Sequence, residues 1–192
     1  MSGIIASRLA IAIDGVSSAL APLVTSLTVT LRLTAPKAST EIEIGDNDGT
    51  AALPRQNASL RIAVEQPGSD AIDIFRGRVT GAIAIGNESG RRLVISAAGS
   101  NSGGPAAAQA PLICRAGQNL VSWNLPARLP GASGAATGHD FTLLLTAEPE
   151  LRPGRRVTIA GVRAEIDGDY FVDGVTHRLT AGGFSTELRV RR

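Results

Sequence analysis

Leu27-Thr28-Val29-Thr30-Leu31-Arg32-Leu33 reads as a β-strand and sets the fold class. Leu27, Val29, Leu31 and Leu33 fall on one side, and Thr28, Thr30 and Arg32 on the other, the period-two pattern of a strand with one buried face. The pattern continues in Glu41-Ile42-Glu43-Ile44, after which Gly45-Asp46-Asn47-Asp48-Gly49 turns the chain. Leu60-Arg61-Ile62-Ala63-Val64 follows, closed by Pro67-Gly68-Ser69-Asp70. Ile72 to Ile85 and Arg92 to Ala97 read as a long hairpin around Gly86-Asn87-Glu88-Ser89-Gly90. No segment carries a sustained helical stripe, and Val16 to Val24 allows one helical turn at most.

Further on, strands are expected at Leu112-Ile113-Cys114, Leu120 to Leu125, Phe141 to Ala147, Val157-Thr158-Ile159, Tyr170 to Leu179 and Phe184 to Val190, with Ala181-Gly182-Gly183 as the last turn. This second series repeats the first. Pro153 lies 99 residues after Pro54, Ile159 lies 97 after Ile62, Tyr170 lies 95 after Phe75 and Val190 lies 95 after Ile95; Val175-Thr176 likewise echoes Val79-Thr80. A spacing this steady points to one β unit used twice. The expectation is an all-β chain of two tandem antiparallel barrels or sandwiches with little helix. The first unit covers 1–99 and the second 111–192. Between them, 100–110 has the small, flexible composition of a linker. A second low-complexity loop runs from Pro130 to Gly138.

Two units of this size can each bury a modest core. With 4 Phe, 1 Tyr and 1 Trp in 192 residues, that core is aliphatic, and a stacking platform for single-stranded nucleic acid has too few rings. Nineteen basic against 17 acidic residues leave a net charge of +2, too small to imply a polyanion partner. Arginines gather at Arg152, Arg155 and Arg156 and at Arg189, Arg191 and Arg192; a solvated strand face and a charged tail account for them. The single cysteine, Cys114, excludes an internal disulfide and reads as a small apolar strand residue. Met1 to Arg8 shows neither a secretion signal nor a membrane span, so the chain is expected to stay in the cytosol until it assembles.

Candidate chemistry is sparse. The histidines are His139, in a glycine-rich loop, and His177, which alternation places with Val175 and Leu179 as a packed strand residue. Asp46 and Asp48 lack the glutamate a calcium loop would carry at its twelfth position, and Asp167-Gly168-Asp169 fits a tight turn. No glycine-rich run suits a phosphate, and Trp123 reads as a core anchor. No catalytic, cofactor-binding or metal residue is assigned, and no cofactor is expected.

The carboxyl end carries a more specific pattern. Leu151-Arg152-Pro153-Gly154-Arg155-Arg156-Val157-Thr158-Ile159 is followed by Asp167-Gly168-Asp169-Tyr170-Phe171-Val172, then by Val175 to Leu188 with its Val-x-His-x-Leu strand and Gly-Phe-x-Thr-x-Leu return. This resembles the final barrel of the late control protein D family of phage tail proteins. Gly117 to Leu125 is similar to the start of that barrel, and Phe75-Arg76-Gly77-Arg78-Val79 is similar, more loosely, to part of the family's first. The usual region between the two barrels is absent, replaced by the short stretch after Gly99.

The resemblance implies a structural baseplate hub of a phage tail or contractile injection system, without enzymatic activity. Three copies, each bringing two tail-tube-like barrels, would make a pseudo-sixfold ring joining tail tube to central spike. Implied partners are further copies of the chain as a homotrimer, the tail tube protein, the spike, other baseplate proteins and DNA passing through the lumen, with no membrane. The implied location is the virion tail baseplate, after assembly in the host cytoplasm. Leu27 to Leu33 and the closing hairpin Tyr170 to Val190 are the edges expected to meet neighbouring subunits. The alternatives are a tail-tip cell-wall hydrolase using Asp167, Asp169 or His177, a tail tube or tube-initiator protein, and a monomeric carbohydrate- or peptide-binding module.

Overall fold

The computed structural model describes residues 8–16, 19–34, 38–87, 90–100, 110–124 and 141–192. Strands make up 65% of the described residues, so the fold is all-β as the alternation requires. In chain order they are β1 (Arg8–Ile13), β2 (Val24–Arg32), β3 (Ala38–Gly45), β4 (Ser59–Glu65), β5 (Ile72–Asn87) and β6 (Gly90–Ser100). After them come β7 (Leu112–Arg115), β8 (Leu120–Asn124), β9 (Phe141–Thr146), β10 (Arg156–Ala160), β11 (Gly168–Thr180) and β12 (Gly183–Arg191). A single 3-10 turn, Ala21–Leu23, precedes β2. Residues 101–109 of the expected linker, and the loop from Pro130 to Gly138, lie outside the described residues.

All twelve strands join one curled sheet. Its main path runs β1-β4-β5-β6-β3-β2-β11-β12-β9-β8, with β10 beside the start of β11 and β7 beside β10. Counted from its own first strand, each half therefore has the same order: first, fourth, fifth, sixth, third, second. The irregularities repeat too. β5 bulges between Val79 and Gly81 against β6, and β11 between Val172 and Gly174 against β12. β2 bulges between Val24 and Ser26 against β3, and β8 between Leu120 and Ser122 against β9. Two features break the repeat: β1 runs antiparallel to β4 whereas β7 runs parallel to β10, and the pairing of β4 with β5 shifts register between Ile62 and Ala63 whereas β10 pairs with β11 without a shift.

The bulges also correct the residue matching. Placing bulge on bulge aligns Val79 with Val172 and, across the hairpins, Ile95 with Leu188, so Val79-Thr80 is not the counterpart of Val175-Thr176. The two rings mislead the match: Phe75 lies six residues before Gly81 but Tyr170 only four before Gly174, so Tyr170 is not the counterpart of Phe75.

One apolar cluster runs through both halves, with Leu27, Val29 and Leu31 of β2 packed in the same core as Ile62, Phe75, Ile95, Val175 and Leu188. Phe75 sits opposite Ile62 and Tyr170 opposite Val157, so each half buries one ring on its fifth strand against its fourth, but not at the same position, because the counterpart of Tyr170 is Gly77. Burying each such side chain stabilises the fold by about 1.5–3 kcal/mol. Leu33 departs from its predicted side: it follows the end of β2 and is exposed.

Candidate functional site

The two halves are stitched together by β2 and β11. Arg32, Leu31, Thr30, Val29, Thr28 and Leu27 pair in antiparallel register with Gly174, Val175, Thr176, His177, Arg178 and Leu179. On the core face Leu27, Val29, Leu31, Val175 and His177 are all buried. This overturns the expectation that Leu27 to Leu33 and the closing hairpin are subunit edges, because each covers the other within one chain. β2 also pairs with β3 on its other side, so its backbone groups are engaged on both flanks.

His177 is fully buried in this junction, its ring stacked on Phe184 at 5.7 Å between centroids. The Thr186 hydroxyl oxygen accepts from the Glu148 N–H at 3.1 Å and lies 3.2 Å from His177 Nδ1. A hydroxyl has two lone pairs and one hydrogen, so the Thr186–His177 hydrogen bond forms in either tautomer of the ring. Burial, reinforced by the charge of Arg152, pushes the imidazole pKa down to about 3. The ring is a neutral core group, as a packed strand histidine should be.

The counterparts of the junction are uncovered. β8 corresponds to β2 and ends the main path of the sheet, with no strand on its outer side among the described residues. β4 pairs with β5 only as far as Arg78, so the stretch of β5 from Gly81 onward is paired on its β6 side alone among the described residues. Exposed large apolar side chains collect on these two edges: Val121 (58%) and Trp123 (40%) on β8, Ile83 (64%) and Ile85 (37%) on β5. Trp123 is thus not the core anchor its alternation predicted. It stands opposite buried Leu143, on the core side of the sheet, but at an edge where none of the described residues closes over it.

Away from the edges, the non-core side of the sheet is polar. Thr28 and Thr30 of β2, Glu41 and Glu43 of β3, Thr176 and Arg178 of β11 and Glu187 of β12 all lie there by register. Cross-strand ion pairs brace it, Arg92–Glu43 at 2.9 Å and Arg178–Glu187 at 3.0 Å. Exposed pairs of this kind contribute roughly 0.2–1 kcal/mol each.

The arginine cluster does not behave as a uniform solvated face. Arg152 is buried; its Nη1 donates to the carbonyls of Pro149 (2.6 Å) and Leu151 (2.7 Å), and its Nη2 to that of Asp73 (2.5 Å) in the other half. The Gln66 side chain adds a second tie by donating to the Ala147 carbonyl at 3.3 Å. Arg156 and Arg192 instead lie over the rings of Phe171 and Tyr170.

The aspartates serve turns. Asp46 is buried, accepts from the Ala51 N–H at 2.8 Å and pairs with Arg91 at 3.0 Å, while Asp48 accepts from the Thr50 hydroxyl at 2.9 Å. Asp167 accepts from the N–H groups of Gly161, Val162 and Arg163, which hold its carboxyl below the usual range, and Asp169 accepts from the Thr158 hydroxyl at 2.6 Å. Cys114 is buried in β7, and burial raises its thiol to about 12. His139 lies outside the described residues. The strand that alternation does not reveal is β1, where Leu9, Ile11 and Ile13 alternate with alanines rather than polar residues and so offer no contrast.

No protein-family model and no curated protein sequence matches the chain. Solved structures do match in fold. A tail protein from Neisseria meningitidis MC58 superposes with a TM-score of 0.68 at 10% identity, over 97% of this chain and 96% of that one. A tail protein of prophage MuSo2 from Shewanella oneidensis gives 0.67 at 9% identity, over 97% of each. An E. coli component of the type VI secretion system, itself similar in structure to the T4 bacteriophage tail proteins gp27 and gp5, gives 0.67 at 10%, over 94% of this chain and 76% of that one. The fold is therefore one shared with phage tail and type VI secretion proteins.

Proposed function

We propose that this chain is a structural component of a phage tail or phage-like contractile injection system, acting as a baseplate hub. In this reading three copies form a ring of six similar units that joins a sixfold tail tube to a threefold central spike. The observation that carries it is the exact-order duplication of the sheet: a chain holding two like units gives threefold assembly a sixfold outline. The shared fold with tail and secretion-system proteins supports the same setting. The tail tube protein, the spike and other baseplate proteins are the proposed partners, and the virion tail baseplate the proposed location.

The role is structural rather than enzymatic. Asp167 and Asp169 serve the turn and strand around them, and His177 is sealed in the core. Sedimentation velocity tests the proposal: the assembled species should have three times the 19.7 kDa of one chain, and a monomer that persists with tube and spike proteins present would overturn it. Purified protein should also leave peptidoglycan intact.

A further inference from the structure

We infer that the outer edge of β8 in one copy pairs with the far end of the uncovered stretch of β5, at Ile85 and Gly86, in the next copy, as the β2–β11 junction pairs Leu27 and Thr28 with Leu179 and Arg178 within each chain. The inference rests on the ring reading for its closure, but its register comes from the repeat itself.

With bulge placed on bulge, Gly174 corresponds to Gly81 and Leu179 to Gly86, while Leu27 corresponds to Trp123 and Thr28 to Asn124. Inside the chain Leu27 faces Leu179 and Thr28 faces Arg178. Carried over, Trp123 of one copy faces Gly86 of its neighbour, and Asn124 faces Ile85. The volumes fit this exchange. The internal seam sets Leu179 opposite Leu27, with His177 on the diagonal; the intermolecular one sets Gly86 opposite an indole, with Ala84 on the diagonal. A Cβ built on Gly86 would meet nothing within 4 Å among the described residues, so the neighbour's ring can lie against the backbone there. Pairing also satisfies a row of backbone groups that β8 and β5 otherwise leave to water, which is the recognition mode of an added strand. Because the two edges differ, the contact is head-to-tail, and such contacts end only by closing a ring.

Cysteine pairs test the register in a Cys114→Ala background, using the full chain. Trp123→Cys with Gly86→Cys, and separately Asn124→Cys with Ile85→Cys, should cross-link on oxidation into species that stop at three chains. Trp123→Cys with Ala10→Cys, on the β1 edge, should not. Trp123→Ala should weaken self-association at least tenfold while leaving the far-ultraviolet circular dichroism unchanged. Trimers that fail to cross-link at both proposed pairs would overturn this seam and leave the hub reading standing. Folded protein that neither cross-links nor rises above monomer at millimolar concentration would overturn both.

Discussion

His177 ties the core to pH. The folded chain keeps the ring neutral down to about pH 3, whereas the unfolded chain protonates it near the ordinary histidine value of 6.5. The unfolded state therefore binds the extra proton between these values, so stability that is complete above pH 6.5 falls as the pH drops toward 3, by on the order of a few kcal/mol. Urea midpoints measured from pH 7 to pH 4 should decline less steeply for His177→Leu than for the parent chain. Arg152 acts differently. Its removal leaves three inward carbonyls without their donor, so Arg152→Ala should cost roughly 2–4 kcal/mol in a denaturant titration. The parity of His177 was legible from Val175 and Leu179 beside it. The burial of Arg152 was not, because one of its acceptors, the Asp73 carbonyl, lies 79 residues away in a strand that local sequence says nothing about.

Among the elements, the β5–β6 hairpin is the tightest. Gly77 and Gly99 face each other there, and a Cβ on Gly99 would overlap the Arg76 carbonyl. Gly99→Ala should therefore destabilise by roughly 1–3 kcal/mol, while Gly81→Ala, with open space around it, should change the melting temperature little. Alternation located the strands well, since a buried face imposes it residue by residue. It could not place a strand within the sheet: Leu27 to Leu31 is central and Trp123 marginal, yet both show the same period. Nor could it fix the repeat to better than two residues. A shift of one would turn every side chain to the wrong face, but a shift of two ladder positions preserves the pattern, and Val172 and Val175, three residues apart with Asp173 bulged out between them, are two positions apart on the ladder.

At the scale of the molecule, one sheet and one apolar cluster span both halves, so they should unfold together. Calorimetry should give a single transition whose van't Hoff and calorimetric enthalpies agree; two resolved transitions would mean that the β2–β11 junction couples the halves weakly. The same junction has a consequence for synthesis. β2 leaves the ribosome early, while its partner β11 follows about 150 residues later, on the order of ten to thirty seconds at ordinary elongation rates. Throughout that interval the nascent chain presents a bare, well-formed strand to its crowded surroundings, and on a polysome the adjacent nascent chains present the same one. Rapid completion of the carboxyl end, or a chaperone that shields the waiting strand, then decides how much of the translated protein reaches its folded form.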